Sequence, residues 1–259
     1  MINNILIKYS VQFLTPFHFG TGLSSGTIDR IIRRDANGYL IVPATTIKGV
    51  LREKLEILIE LFKKLGFFSE SFTKIFKTEE QLNFFRDTSL VDRIFGSPTK
   101  EGTLYFDDLK MSDASKELVS ESLLRGEKVG DYLQTQQRTQ IRIWRKLKTV
   151  SGGALFKSEY GNPQLFFDGE IKGQLDGVKI QLSSIQNMTY ELLLLILTLK
   201  MADKFGGNKS TGMGKVLIEI EQVMLNEKEL KLNQILSEEI WENLEVMFND
   251  DLEVYKNEN

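Results

Sequence analysis

Apolar and polar side chains alternate along ILIKYSVQFLT at 5–15, a period that predicts a β-strand ended by Pro16. A glycine-rich turn, FGTGLSSGT at 19–27, follows. IDRIIRRDANGYLIVP at 28–43 then reads as a β-hairpin, two β-branched runs around Asn37-Gly38. Past it the period lengthens. Ile47, Val50, Leu51, Leu55, Leu58 and Leu61 fall on one face of a helix over about 47–65, with Thr45 or Thr46 as its cap.

Residues 66–100 read as short helices and loops, GTLYFDDLKMSD at 102–113 as a strand, and 114–137 as a polar stretch without a clear period. TQIRIWRKLKTV at 139–150 favours a strand, and GALFKSEYG at 153–161 and PQLFFDGEIKGQL at 163–175 give two more. A strong helix at about 188–203, a glycine loop, the strand KVLIEIEQVML at 215–225 and an amphipathic helix at about 233–248 complete the chain. This order predicts an α+β fold, an antiparallel sheet with helices on one face, of ferredoxin-like type.

The most apolar run, LLLLILTLKMA at 192–202, is too short to span a bilayer and carries a lysine, so it predicts a buried helix. MINNILIKYS lacks the pattern of a secretory signal, and a cytoplasmic location is expected, with no membrane partner. The chain has no cysteine and one histidine, His18. Disulfides, thiolate metal sites and multi-histidine metal sites are excluded. The net charge of −3 gives no support to nucleic-acid binding as a whole-chain property, so any such binding rests on local patches.

One such patch is KFGGNKSTGMGKV at 204–216, with four glycines, two lysines beyond Lys204, and no acid. Gly207 and Gly212 have Walker A spacing, but Met213 stands where that motif needs lysine, and a strand rather than a helix follows. A dinucleotide fingerprint fails for the same reason of context. What remains is a loop whose backbone N–H groups, with Lys209, Ser210, Thr211 and Lys215, can cradle an anion. A second patch is RTQIRIWRKLK, where Arg138, Arg142, Arg145, Lys146 and Lys148 interleave with Trp144, a pattern that suits a nucleic-acid groove or, equally, a solvated strand with Trp144 in the core. Lys48 and Arg52 lie four apart at the start of the first helix, where cations oppose the helix dipole unless a phosphate lies nearby.

Read together, five segments resemble the RAMP superfamily of CRISPR systems. FHFGTG at 17–22 with SSGTIDRIIRRD at 24–35 is the first. YLIVPATTIKGVLREKLE at 39–56 is similar to the family's Ile-Pro-Gly-Ser-Ser-Leu-Lys-Gly-x-Leu-Arg pattern. DRIFGSPTKEGTLYFDD at 92–108 and GALFKSEY at 153–160 are similar to its Leu-Phe-Gly and Leu-Phe-x-x-Glu stretches, and the glycine loop is the fifth. The segments occur in family order, and the likeness is to the single-domain backbone subunits of type III effector complexes.

That resemblance implies a modified RNA-recognition motif with an inserted thumb. It implies one RAMP domain over 1–259, with a core at about 1–60 and 150–225 and insertions at about 61–149. It implies CRISPR RNA, target RNA and other RAMP subunits as partners. RNA-binding residues are then His18, Lys48, Arg52, Arg138, Arg142, Arg145, and Gly206, Gly207, Asn208, Lys209, Ser210, Thr211, Gly212, Gly214 and Lys215 of the glycine loop. Gly26-Thr27-Ile28-Asp29 matches the stretch that carries the aspartate of catalytic backbone subunits, which act in divalent-metal-dependent cleavage of target RNA. Asp29 is thus the candidate catalytic carboxylate, and magnesium or manganese the cofactor if the chain is catalytic. Arg30-Ile31-Ile32-Arg33 departs from the usual Ser-Pro-Val-Ile, and Arg30, Arg33 or Arg34 could instead pair with Asp29 and make it structural. Two alternatives stay open: a non-catalytic RNA-binding or capping subunit, and a processing endonuclease using His18.

Overall fold

The computed structural model describes residues 2–65, 90–98, 101–124, 133–144, 146, 148–176, 185 and 188–236. Its centre is β1 (Ile2–Phe13), which lies between two antiparallel neighbours, β7 (Phe166–Asp176) and β8 (Val216–Leu225). On the far side of β7, β3 (Leu104–Phe106) and β4 (Leu109–Met111) pair with it, and β2 (Ile41–Val42) pairs with β4. The short β9 (Lys228–Leu230) closes the opposite edge. The helix α1 (Ala44–Lys64) follows β1, and α4 (Tyr190–Met201) comes between β7 and β8. Strand order β4-β7-β1-β8 with those two helices is the ferredoxin-like arrangement.

Strand alternation sets the two faces of the sheet. Ile5, Ile7, Tyr9, Val11 and Phe13 of β1 are buried with Ile171 of β7 and Ile218 of β8 in one cluster with the helices. α4 is apolar on all sides and buried nearly throughout, as its run of leucines predicts. Thr189 caps it, accepting from Leu192 N–H at 3.4 Å. In α1 the buried stripe is Ile47, Val50, Leu51, Leu55, Leu58, Ile59 and Phe62, while Leu61 is exposed. The stripe continues by a step of four from Leu58 to Phe62, which turns Leu61 outward. Asp108, rather than Thr45 or Thr46, receives the amide of Ala44 at the start of α1, at 2.7 Å.

Two segments differ from the sequence reading. The hairpin around Asn37-Gly38 is present but short: Asp35 N–H donates to Tyr39 O at 2.8 Å, Arg34 bridges Leu40, Ile41 N–H donates to Arg33 O at 3.3 Å, and the pairing stops there. The backbone before Arg33 is taken instead by the 20–25 turn and by a strand from the middle of the chain, described below. The 102–113 strand is split at Asp107-Asp108 into β3 and β4, which belong to the main sheet although they fall in the range expected to be insertion. The helix α3 (Asp113–Leu124) occupies the first half of the stretch without a clear period. Of the short helices expected at 66–100, α2 (Leu90–Phe95) is described. Most of the C-terminal helix falls outside the described residues, apart from the turn α5 (Leu232–Ile235).

Between α3 and β7 the chain forms a separate two-stranded sheet, β5 (Thr135–Trp144) and β6 (Thr149–Gly161). This hairpin stands apart from the main sheet and carries Ile141, Ile143, Trp144 and Leu155 exposed. Trp144 is 56% accessible, so it is not a core residue of this strand pair. The hairpin's second strand falls in the range expected to be core, outside the insertion expected at about 61–149.

Candidate nucleic-acid interface

The base of β6 is the spine of the site. Phe17 and Gly161 pair through backbone bonds in both directions, at 3.2 and 2.7 Å. The amides of Asp29 and Arg30 both donate to Lys157 O, at 2.9 and 3.2 Å, and Glu159 N–H donates to Arg30 O at 2.9 Å. Asp29 and Arg30 thus meet β6 at a single parallel bridge, while Ile28, Ile31 and Ile32 pair with Ser25, Leu23 and Gly20, so 28–32 leave the expected hairpin. Lys157 N–H also donates to Asp29 Oδ2 at 2.8 Å. The Glu159 side chain is buried, accepting from Ile32 N–H at 3.0 Å and from the Arg34 guanidinium at 2.6 Å.

These bonds open a groove of about 790 Å³ lined by His18, Asp29, Arg30, Arg33, Gly206, Gly207 and Lys209, with Pro43, Thr45 and Thr46 from the start of α1. Asp29, His18 and the glycine loop, from His18 to Lys209 separated by 191 residues in sequence, therefore share one concave surface. His18 Nδ1 donates to the backbone oxygen of Glu159 at 2.7 Å, which fixes that ring nitrogen as the protonated one and leaves Nε2 as the free ring atom. Nε2 lies toward Gly20, where an added Cβ would sit 3.0 Å from it.

The glycine loop is held more tightly than its composition suggests. The amide of Gly207 donates to His18 O at 3.0 Å, that of Gly214 to Pro16 O at 2.8 Å and that of Lys215 to Thr15 Oγ1 at 2.8 Å. Thr211, Gly212 and Met213 donate back within the loop. Free N–H groups are therefore fewer than expected: among the described residues, those of Gly206, Asn208, Lys209 and Ser210 have no protein acceptor. Asn208 is left-handed, at φ 60°, and its side chain donates to Tyr160 Oη at 2.9 Å, tying the loop to β6. Gly206, at φ 90°, passes so near that a Cβ would lie 2.7 Å from His18 O, and only glycine fits there. Lys209 reaches Glu53 of α1 at 3.4 Å and remains partly exposed, while Ser210, Thr211, Gly212 and Lys215 are exposed.

Other expected contacts lie elsewhere. Lys48 projects over the Phe106 ring at 5.8 Å and does not line the groove. Arg52 is turned inward: it donates to Gly96 O at 3.0 Å, Asp92 at 3.1 Å and Glu56 at 3.4 Å, fastening α2 to α1. Arg138, on the hairpin, lies over the Tyr160 ring at 5.6 Å and bonds Gln136. Arg145 lies outside the described residues, as does the side chain of Arg142.

No arginine pairs with Asp29 among the described residues. Arg30 stacks on Phe156 at 4.8 Å, Arg34 is engaged by Glu159, and Arg33 faces the groove. The sequence offers Arg30, Arg33 or Arg34 as an alternative partner of Asp29, and does not announce Arg30 and Arg33 as groove cations or Glu159 as the anchor. The acid of Leu-Phe-x-x-Glu is the available signal for the last.

Among the described residues no group of three or more acidic or histidine side chains could hold a metal ion. The chain offers Asp29 alone in the groove. Magnesium accepts such a setting, since it commonly takes one carboxylate and fills its shell with water and substrate phosphates.

The fold and groove define an α+β protein of ferredoxin-like type with an inserted hairpin. The RAMP superfamily profile matches residues 10–217, and the chain belongs to that superfamily. Its fold matches a subunit in a cryo-EM structure of the type III-B Cmr-beta bound to cognate target RNA, with a TM-score of 0.51 and 14% identity over 83% of this chain and 96% of that one. The apo-state cryo-EM structure of the type III-B Cmr-beta gives a TM-score of 0.50 and 13% identity, with 83% and 96% covered. Among curated proteins, none matches by sequence.

Proposed function

We propose that this chain is a subunit of a type III CRISPR effector complex that binds CRISPR RNA and cleaves the paired target RNA. The observation that carries the reading is the shared groove, where Asp29 sits with Arg30, Arg33, Lys209 and the glycine loop. Superfamily membership and the likeness to Cmr-beta subunits support it.

In this reading the backbone of the RNA runs along the groove. Arg30, Arg33 and Lys209 neutralise its phosphates, and the amides of Asn208, Lys209 and Ser210 donate to them. Thr45 and Thr46 bring the start of α1, with its positive dipole end, to the same anion. Asp29 holds one carboxylate oxygen on Lys157 N–H and turns the other to the RNA, where it orients the attacking hydroxyl. Asp29 would hold magnesium or manganese, which would supply charge neutralisation at the scissile phosphate. The hairpin, with Arg138 and exposed Trp144, offers stacking surface to RNA bases. Neighbouring RAMP subunits and the target RNA complete the set of partners.

The test is a complex assembled with its guide RNA and magnesium or manganese, given labelled complementary RNA. Regularly spaced cuts, lost in Asp29→Ala with target binding kept, are the expected result. Tight binding without cuts by the wild-type complex would leave a non-catalytic RNA-binding or capping subunit. Cutting of a labelled precursor repeat by the purified chain alone, lost in His18→Ala, would make it a processing endonuclease.

A further inference from the structure

We propose that Glu159 is the positioning residue of the groove, and that its buried carboxylate sets where Arg33 stands relative to Asp29. The proposal rests on the cleavage reading for its kinetic arm only.

Glu159 is 6% accessible, in the strand that forms the base of the hairpin. Its two carboxylate oxygens are divided between two points of one loop. Oε2 accepts from Ile32 N–H at 3.0 Å, and Oε1 accepts from Arg34 at 2.6 Å. Arg34 in turn donates to Gly38 O at 3.1 Å, at the Asn37-Gly38 turn. Arg33 lies between the two anchored residues and faces the groove. On the other side of Ile32, the backbone of Glu159 holds Arg30 O and the ring of His18. One residue therefore contacts both groove-lining segments of the N-terminal half, while making no contribution to the groove lining itself.

The chemistry of the anchor explains the choice of an acid. A buried carboxylate accepts a charge-assisted bond from a guanidinium and a backbone bond at once, and its two oxygens fix the separation of the donors. The segment 28–34 has no helix and no strand ladder of its own, apart from isolated bridges, so these bonds replace the regular pairing it lacks. A loss of this anchor releases the loop from its carboxyl-terminal end, while Asp29 keeps its Lys157 bonds. Arg33 is then free to shift relative to the carboxylate of Asp29, and a misplacement of about 1 Å in a site is worth up to roughly a hundredfold in rate.

The test uses the complete complex with guide RNA and compares Glu159→Gln, Glu159→Ala and Asp29→Asn. Single-turnover cleavage is expected to fall by about tenfold to a hundredfold in Glu159→Ala, with target affinity kept. Glu159→Gln, which keeps an acceptor for Ile32 N–H, is expected to recover most of that rate. Hydrogen exchange over 28–34 is expected to speed up in Glu159→Ala and to stay near wild type in Asp29→Asn, which keeps an oxygen for Lys157 N–H. Unchanged exchange over 28–34 in Glu159→Ala would overturn the proposal, whatever the cleavage result. Absence of cutting by the wild type would sink the cleavage reading alone, since the exchange measurement still decides the positioning role. If Glu159→Ala does not assemble, Arg34→Lys removes the guanidinium fork with the charge kept. Faster exchange over 28–34 and slower cutting by that variant support the anchor, and wild-type behaviour in both overturns it.

Discussion

Asp29 and Lys157, 128 residues apart in sequence, exchange two hydrogen bonds: Lys157 N–H donates to Asp29 Oδ2 at 2.8 Å, and Asp29 N–H donates to Lys157 O at 2.9 Å. The side chain of Asp29 is therefore both a lock for the loop and a groove group, and the two roles can be separated. Asp29→Asn keeps an oxygen for Lys157 N–H, whereas Asp29→Ala removes it. Thermal melting is expected to show Asp29→Asn near wild type and Asp29→Ala lower by about 1 kcal/mol, the worth of one such bond. Cleavage is expected to be lost in both.

Arg33 and Lys209 both line the groove. In guide-RNA titrations over a range of salt, Arg33→Ala and Lys209→Ala are each expected to weaken binding and to lower the slope of log affinity against log salt by about one. An unchanged slope would remove that residue from phosphate contact.

Arg52 gives the contrasting case. Its guanidinium joins α1 to Asp92 and Gly96. Arg52→Ala is expected to destabilise the fold by about 1–2 kcal/mol, because a charge-assisted link is lost at a half-exposed position. RNA affinity of the folded variant at fixed salt is expected to stay at the wild-type value.

Gly214 is left-handed, at φ 72°, and a Cβ there would collide with Phe205 O. Gly214→Ala is expected to cost about 1–3 kcal/mol by denaturant melting and to weaken RNA binding with it. Gly212 is also left-handed, but open space surrounds it. Its alanine variant should lose only the backbone term, about 1–2 kcal/mol.

Acid titration has a defined sign at Asp168. Burial, then Glu221 and Asp113, raise its carboxyl above the ordinary 3.8, with Lys116 opposing. A carboxyl that holds its proton more tightly folded than unfolded costs stability at neutral pH, and the cost disappears as pH falls through the folded value. Asp168→Asn is expected to raise Tm near neutral pH by about 1–2 °C. The difference should vanish in melts run below the ordinary carboxylate value.

Strands and long helices were legible because their periods are local. β1, β8 and the all-apolar α4 follow directly from alternation or from a continuous run of leucines. The glycine loop and Asp29 stand out through a pattern shared with a family, and the structure brings both to one groove. Arg52 was read as a groove cation because its true partners, Asp92 and Gly96, come some 40 residues later, and no spacing rule announces them. The β-branched residues around Asn37-Gly38 predict a hairpin over 28–43, and its arms pair only between Arg33 and Ile41. Before Arg33, the 20–25 turn and β6 take the backbone, and tertiary pairing overrides the local preference.

The open face of the sheet bears on how the molecule meets other charges. The register aligns Asp168, Ser10 and Glu219 across β7, β1 and β8, with Glu170 and Glu221 on the same exposed surface. The groove, by contrast, is lined by Arg30, Arg33 and Lys209. Lys8, between Glu170 and Gln222, and Lys172, paired with Glu170 at 3.0 Å, share that sheet face, so its charges largely offset one another. If the groove takes RNA as proposed, its cations and not the sheet face steer the encounter.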